Sequence, residues 1–144
     1  MIAKTNWQSL IPHRDEMALL DEVVAFDDTT IHATAVSHRD PNNPLRSDGI
    51  LRAVNLCEYG AQAMAIHGGL LAQRSGKIAA PGFLVSLRAV ELSVARIDDL
   101  PHALDVFATQ LHGDGSGWQY EFRIEHDGVP IAIGRAAVML QPQA

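Results

Sequence analysis

Glu58 is the residue of this sequence best placed for acid–base chemistry. It falls in a run of small and apolar residues, Ala53 to Leu71, and Gln62 follows it by four positions. An unpaired carboxylate is costly in such surroundings. On a helix that spacing puts both side chains on one face, where the amide of Gln62 can bond the carboxylate. A buried carboxyl has a raised pKa, which a general acid or base near neutral pH requires. A Glu paired with an Arg, or facing water, is the equal alternative. His67 stands nine residues beyond Glu58, half a turn out of phase at about 100° per residue. The two cannot serve one site from the same helix, so a partner for Glu58 must come from elsewhere.

The other chemical candidates are weaker. Cys57 is the only cysteine, which excludes an intramolecular disulfide and a Cys-based zinc site. It lies inside the apolar run with no adjacent base, as a packing thiol does. The seven histidines show neither His-Glu-x-x-His nor paired Cys and His, so no metal is expected. Gly113-Asp114-Gly115-Ser116-Gly117 looks like a nucleotide loop, but such a loop must open a helix. An alternating strand follows here instead, so the segment reads as a hairpin turn.

These residues need elements to hold them. Asn6–Leu10 can form a short helical turn. Met17–Phe26 reads as a strand, and Thr30–Val36 as its hairpin partner through Asp27-Asp28-Thr29. A long loop with two prolines, His38–Gly49, has the length of a functional or mobile segment. The spacing then predicts one central helix over Leu51–Ser75, closed by Gly76. Gly60, Ala61, Ala63, Ala65, Gly68 and Gly69 let that helix lie close against a sheet, with both faces buried. Four strands follow, Phe83–Val94, Ala103–His112, Trp118–Glu125 and Val129–Leu140. Trp118, Tyr120, Phe122 and Ile124 alternate with polar residues, and Asp127-Gly128 is a two-residue hairpin signal. The order is α+β. We find no internal repeat or linker, so residues 1–144 read as one domain.

Composition bounds the partners. A chain of 144 residues, 47% hydrophobic and 19% charged, can form a core without staples, and its shortage of charge points to surface hidden in an oligomer. The net charge of −6 disfavours nucleic acid, whose binding rests on clustered cations. Asn55, Glu58, Gln62 and His67 interrupt the most apolar stretch, so no membrane span is expected. No charged-then-apolar leader is evident, and a cytoplasmic location is expected. Nine arginines against two lysines suit an anionic ligand and equally a GC-rich genome. Arg39, Arg46 and Arg52 flank the start of the helix, as contacts for a phosphate or an acidic carrier or, equally, as solvated loop charges.

Pro12-His13-Arg14 followed by Met17-Ala18-Leu19-Leu20-Asp21 resembles the opening segment of the hotdog-fold 3-hydroxyacyl-acyl-carrier-protein dehydratases. Glu58-Tyr59-Gly60-Ala61-Gln62-Ala63 resembles their helical glutamate–glutamine signature. Asn43–Gly49 is similar to the divergent subgroup of aryl-polyene pigment clusters. The resemblance spans Leu10 to Leu140. It implies a central helix wrapped by a five- to six-stranded antiparallel sheet, and a dimer, with itself or another hotdog chain, whose sheet runs across both subunits. It also implies dehydration of a 3-hydroxyacyl thioester to the trans-2-enoyl product, in fatty-acid or polyene-like synthesis. The acyl chain would arrive on acyl carrier protein or coenzyme A, with no cofactor beyond the substrate's own phosphopantetheine. In that family a histidine fourteen residues before the glutamate is catalytic, and here Pro44 stands at that position. Proline cannot transfer a proton. His13 becomes the expected acid–base partner of Glu58, with His38 second, while Gln62, Arg46, Arg52 and Phe83 are the expected substrate contacts. A thioesterase on the same fold, using Glu58 or Asn55 to activate water, and a non-catalytic acyl-binding partner subunit are the alternatives.

Overall fold

The computed structural model describes residues 1–11, 17–77, 82–114 and 116–140. Its elements are α1 (Lys4–Trp7), β1 (Val23–Phe26), β2 (Thr30–Ala35), α2 (Leu56–Arg74), β3 (Gly82–Leu92), β4 (Leu104–Gly113), β5 (Gly117–His126) and β6 (Val129–Leu140). The strands form one antiparallel sheet in the order β1-β2-β4-β5-β6-β3. Helix α2 lies across β2, β4 and β5, with β6 at its margin. Its other side is covered by the N-terminal segment, where Trp7, Ile11 and Ala18 to Leu20 are buried. No helix among the described residues is long and apolar enough to cross a membrane.

Small side chains set the helix-to-sheet distance. A Cβ on Gly60 would meet Phe122 at 2.7 Å, and one on Gly68 would meet Trp118 at 2.4 Å. Gly134 approaches the same Phe122 ring from β6, where an added Cβ would stand 2.6 Å away. Phe122 is thus seated between two glycines. Tyr120, Phe122 and Ile124 are fully buried while Gln119 and Arg123 are exposed, so the alternation of β5 is observed as its spacing predicts.

Two elements are shorter than expected, for identifiable reasons. The helix begins at Leu56 rather than Leu51. The Leu51 amide bonds Asp98 Oδ1, its carbonyl accepts from Ile97, and the Ala53 amide bonds the Ala95 carbonyl. Those groups are committed to the 95–98 segment, so helical bonding starts only after them, through a 3-10 turn at Ala53–Asn55. Strand β1 covers only the end of the expected Met17–Phe26 strand. The Leu19 amide is taken by the Gln62 side chain, and the register with β2 shifts between Val23 and Ala25. The helix terminates as expected: Gly76 has φ +71°, and Lys77 and Gly76 donate to the carbonyls of Ala72 and Gln73, a left-handed close that suits glycine.

Side-chain oxygens fix the turns. Asp27 Oδ1 accepts from the amides of Thr29 and Thr30 at 2.9 and 2.8 Å. Asp114 Oδ1 accepts from the amides of Ser116 and Gly117, in a turn between strands and not at a helix start. Asp127 and Gly128 both have positive φ, 52° and 76°, as a tight hairpin of the expected type requires.

Strand β3 lies at the sheet edge beyond the helix. Leu84, Val85, Leu87, Val90 and Leu92 are all at least 36% exposed. A bulge interrupts its pairing with β6 between Arg88 and Glu91, around Ala89 at φ 52°.

The Gly60 contact yields a test. Alanine at this position gains roughly 1 kcal/mol of helix propensity, but its methyl meets a ring that cannot retreat toward Gly134. Overpacking of this kind costs about 1–3 kcal/mol. Gly60→Ala is therefore expected to lower the denaturation midpoint, and a higher midpoint would refute the packing account.

Candidate functional site

Gln62 is fully buried and its amide is spent on three partners. Its Oε1 accepts from the Leu19 amide at 2.8 Å, and its Nε2 donates to the Met17 carbonyl at 2.6 Å and to Glu58 Oε1 at 3.4 Å. The expected Glu58–Gln62 contact is present. Gln62 does not offer itself to a substrate, however. It fastens the chain that follows residues 12–16 to the helix turn that carries Glu58.

Glu58 falls between the two alternatives its surroundings leave open. It is only half-buried, not enclosed in the core. The reason is its helix face: Glu58, Ala61 and Ala65 are partly exposed on that side, and Ala72 is partly exposed again beyond the buried Gly68 and Gly69. Val54, four residues before Glu58, is 58% exposed. The uncovered stripe of the helix is therefore short-chained and apolar, with one carboxylate near its start.

Beside that start lies a polar network the sequence reading overlooked. Ser37 Oγ donates to the Leu19 carbonyl at 2.7 Å, which uses its one proton. The buried Tyr59 hydroxyl, 2.8 Å away, must then donate to Ser37 Oγ. Asn43 Nδ2 in turn donates to the Tyr59 oxygen at 3.2 Å and to the Ser37 carbonyl at 2.9 Å. Burial pushes the Tyr59 phenol up from its ordinary value, so this hydroxyl is a fixed donor. Tyr59 and Asn43 stand inside the quoted motifs, but nothing in their spacing says that they meet. Pro44, next to Asn43, is exposed.

The expected substrate contacts divide. Arg46 is a clamp: Nε donates to the Asp40 carbonyl, Nη1 to that of Gly49 and Nη2 to that of His38, and Asp98 lies 4.0 Å away. Three of its five N–H groups are thus spent on loop carbonyls, which gives Arg46 a structural part in the loop whatever else it meets. With Arg39 Nη1 on the Pro101 carbonyl at 2.8 Å, the 38–49 loop is bound down. Arg52 is exposed at the helix start. Phe83 lies in β3 opposite Met139, and its side chain falls outside the described residues. His13 also lies outside the described residues; among its neighbours, Ile11 is buried in the core and Met17 is held by Gln62.

The remaining histidines and the cysteine have structural places. His38 is fully buried with Nε2 on the Leu100 carbonyl at 3.0 Å, and burial lowers its pKa. His67 is fully buried, as a core histidine out of phase with Glu58 should be. Its Nε2 donates to the Asp27 carbonyl at 2.8 Å, so its Nδ1 accepts from Tyr120 at 2.7 Å. Cys57 is buried, and burial raises its thiol pKa, which leaves it unreactive. Among the described residues, the group that could hold a metal is His102, His126 and Asp127, at the β5–β6 turn and not beside Glu58.

The ApeP-like family model, described as ApeP dehydratase, matches residues 5–144. The chain belongs to the ApeP-like dehydratase family. Among solved structures, it is similar to a chain of the dehydratase heterocomplex ApeI:P from Xenorhabdus doucetiae, with TM-score 0.84 and 24% identity over 94% of this chain and 91% of that one. It is also similar to a putative thioesterase from Shewanella oneidensis (TM-score 0.64, 16% identity, 96% and 93% covered). A hypothetical thioesterase with coenzyme A from Streptococcus pneumoniae TIGR4 is a third likeness (TM-score 0.61, 14% identity, 85% and 86% covered). No curated protein matches by sequence. These likenesses show the hotdog fold: the helix is the filling and the six-stranded sheet the wrap.

Two tests follow. Gln62→Leu leaves the Leu19 amide and the Met17 carbonyl without partners. An unmet buried group costs about 1–3 kcal/mol, so the variant is expected to lose at least that and to lose hydrogen-exchange protection at Leu19; retained protection would refute the tether. The second concerns pH. Burial lowers the His67 pKa below its ordinary 6.5, so the native ring stays neutral while the unfolded chain takes a proton. Its contribution is present above about pH 6.5 and falls as pH drops below it, by up to about 1.4 kcal/mol per unit. His67→Gln should be less stable but show a shallower loss of stability between pH 7 and pH 5.5. An unchanged slope would exclude His67 as its source.

Proposed function

We propose that the chain removes water from 3-hydroxyacyl thioesters carried on acyl carrier protein or coenzyme A, yielding the trans-2-enoyl thioester. The observation that carries this reading is the partly exposed stripe of α2, a single carboxylate at the head of Ala61 and Ala65. An acyl chain can lie along small apolar side chains with its C2 and C3 atoms at Glu58. One group takes the C2 proton and another protonates the departing 3-hydroxyl, so that H and OH leave together as water. Glu58 is one of the pair and His13 the other. The Gln62 bridge supports that pairing, because it brings the chain four residues beyond His13 to the Glu58 turn. Tyr59, Ser37 and Asn43 keep the helix start in place, and Arg52 is the exposed cation there for a phosphopantetheine phosphate or an acidic carrier. Phe83 is retained as a tunnel contact. No resident cofactor is needed for this chemistry, and the setting is cytoplasmic synthesis of fatty-acid or polyene-like chains.

The exposed apolar β3 edge supports a second element of this reading. Long apolar edge strands invite pairing with another chain, and β3 carries its uncovered residues where a second sheet could continue the first. We place the working protein as a dimer through β3, with a copy of itself or with another hotdog chain. The likeness to a chain of a dehydratase heterocomplex favours the second.

The test is turnover of a 3-hydroxyacyl thioester by the chain alone and by the chain co-expressed with a hotdog partner, reading enoyl product and free acid separately. Glu58→Gln and His13→Asn are each expected to lower enoyl formation by about 10²–10⁴-fold, with circular dichroism and assembly unchanged. Full activity in Glu58→Gln would overturn the proposal. Free acid without enoyl product would assign a thioesterase. Activity of the complex that neither variant alters would make this chain the non-catalytic subunit that Pro44 suggests.

A further inference from the structure

We propose that His102, His126 and Asp127 form a site for one divalent transition metal ion of the zinc type. The ligands come from the loop before β4 and from the β5–β6 turn. One ligand atom from each of the three lies within 4.8 Å of the others. His102 Nδ1 stands 2.9 Å from Asp127 Oδ2, and His126 Nδ1 stands 3.7 Å from the same oxygen. Ligands about 2.0–2.1 Å from a tetrahedral zinc are about 3.3 Å apart, and the two observed separations bracket that value.

The site is built in advance. The two imidazoles stack with centroids 5.7 Å apart and planes 16° from parallel. His126 is only 12% exposed, and the His102 amide donates to its Nε2 at 3.2 Å. Asp127 is fixed by the turn, in the left-handed conformation with φ 52°. His126 is the anchored ligand, while His102 and Asp127, whose side chains are 65% and 55% exposed, come from a loop and a turn and are held by their mutual hydrogen bond.

Proton bookkeeping is simple. The His102 Nδ1 proton now donated to Asp127 shifts to the ring's other nitrogen, and the carboxylate oxygen so released takes the metal. At His126 the metal either replaces the amide bond at Nε2, or binds Nδ1 while the proton moves to Nε2. Either way one 3.2 Å hydrogen bond is given up for a coordinate bond. Two imidazoles and one carboxylate suit Zn(II), Co(II), Ni(II) or Cu(II), and not Mg(II) or Ca(II), which prefer all-oxygen shells. Three protein ligands leave coordination positions for water.

The location gives the ion a mechanical effect. His102 follows Leu100 and Pro101, whose carbonyls hold the His38 ring and the Arg39 guanidinium. Asp98, just before them, holds the Leu51 amide ahead of α2. An ion at His102 therefore staples the 98–102 segment to the β5–β6 turn, and through it the loop that leads to the helix. This proposal is independent of the dehydratase reading, since none of its ligands belongs to that site.

The experiment titrates the full-length chain, stripped with chelator and dialysed, with Co(II) and then Zn(II). Expected are one Co(II) per chain with visible ligand-field bands, displacement by Zn(II), and a rise in Tm on Zn(II) addition. Mg(II) should produce none of these. His102→Ala and Asp127→Asn, the latter tolerant of the left-handed turn, should each weaken binding by more than about tenfold, the loss produced by removing even an outer partner of a ligand. Metal-free folding should be retained by circular dichroism. His112→Ala is the control, because His112 and Asp114 lie 3.8 Å apart as a two-ligand pair on another turn. No stoichiometric binding would overturn the proposal, as would binding that survives the His102→Ala, Asp127→Asn double variant or is lost in His112→Ala.

Discussion

The buried amide of Gln62 is the interaction on which the site depends. A primary amide has one acceptor oxygen and two donor hydrogens, and here they reach one backbone amide, one backbone carbonyl and one carboxylate. The first two belong to a segment more than forty residues earlier in the chain. In the core each unmet group would cost about 1–3 kcal/mol, so the 17–19 segment cannot leave the helix without a penalty on both sides. That constraint shortens β1, covers one flank of α2, and leaves the Glu58 stripe as the open one.

The helix can play this part only because it lies so close to the sheet. Glycines at 60, 68 and 69 put backbone against Phe122, Trp118 and Leu10. The same substitution pattern leaves alanines on the open side. A bulky residue at 61 or 65 would fill the surface along which an acyl chain is proposed to lie. Packing and binding thus draw on the same composition, and the small-residue run serves both faces of one helix.

Much of this was legible in the sequence. Alternation in β5, the Asp127-Gly128 turn, the Gly76 terminus and the pairing of Glu58 with Gln62 are local rules, set by periods of about 2 and 3.6 residues. What was not legible was long-range. Arg46 reads as a ligand because an arginine beside a loop advertises its charge, while the carbonyls that give it a structural part are placed only by the folded loop. The exposure of Glu58 stays open in the sequence because a small-residue helix gives no sign of which side is left uncovered. His102 and His126 are twenty-four residues apart, and no spacing rule for metal ligands anticipates a meeting made by the β4–β5 hairpin.

Pro44 sharpens what the site must do if it dehydrates. The loop that would carry a proton-transfer group instead supplies Asn43 to the Tyr59 hydroxyl, and that hydroxyl is already donating to Ser37. Each proton in the network is committed, and burial holds Tyr59 protonated. The chain of hydroxyls ends on the Leu19 carbonyl, too weak a base to take a proton, so the network positions the helix start. Acid–base work at Glu58 then needs a group from outside it, which leaves the segment held by Gln62 or a second subunit. Both routes converge on the same side of α2, because the sheet occupies the other.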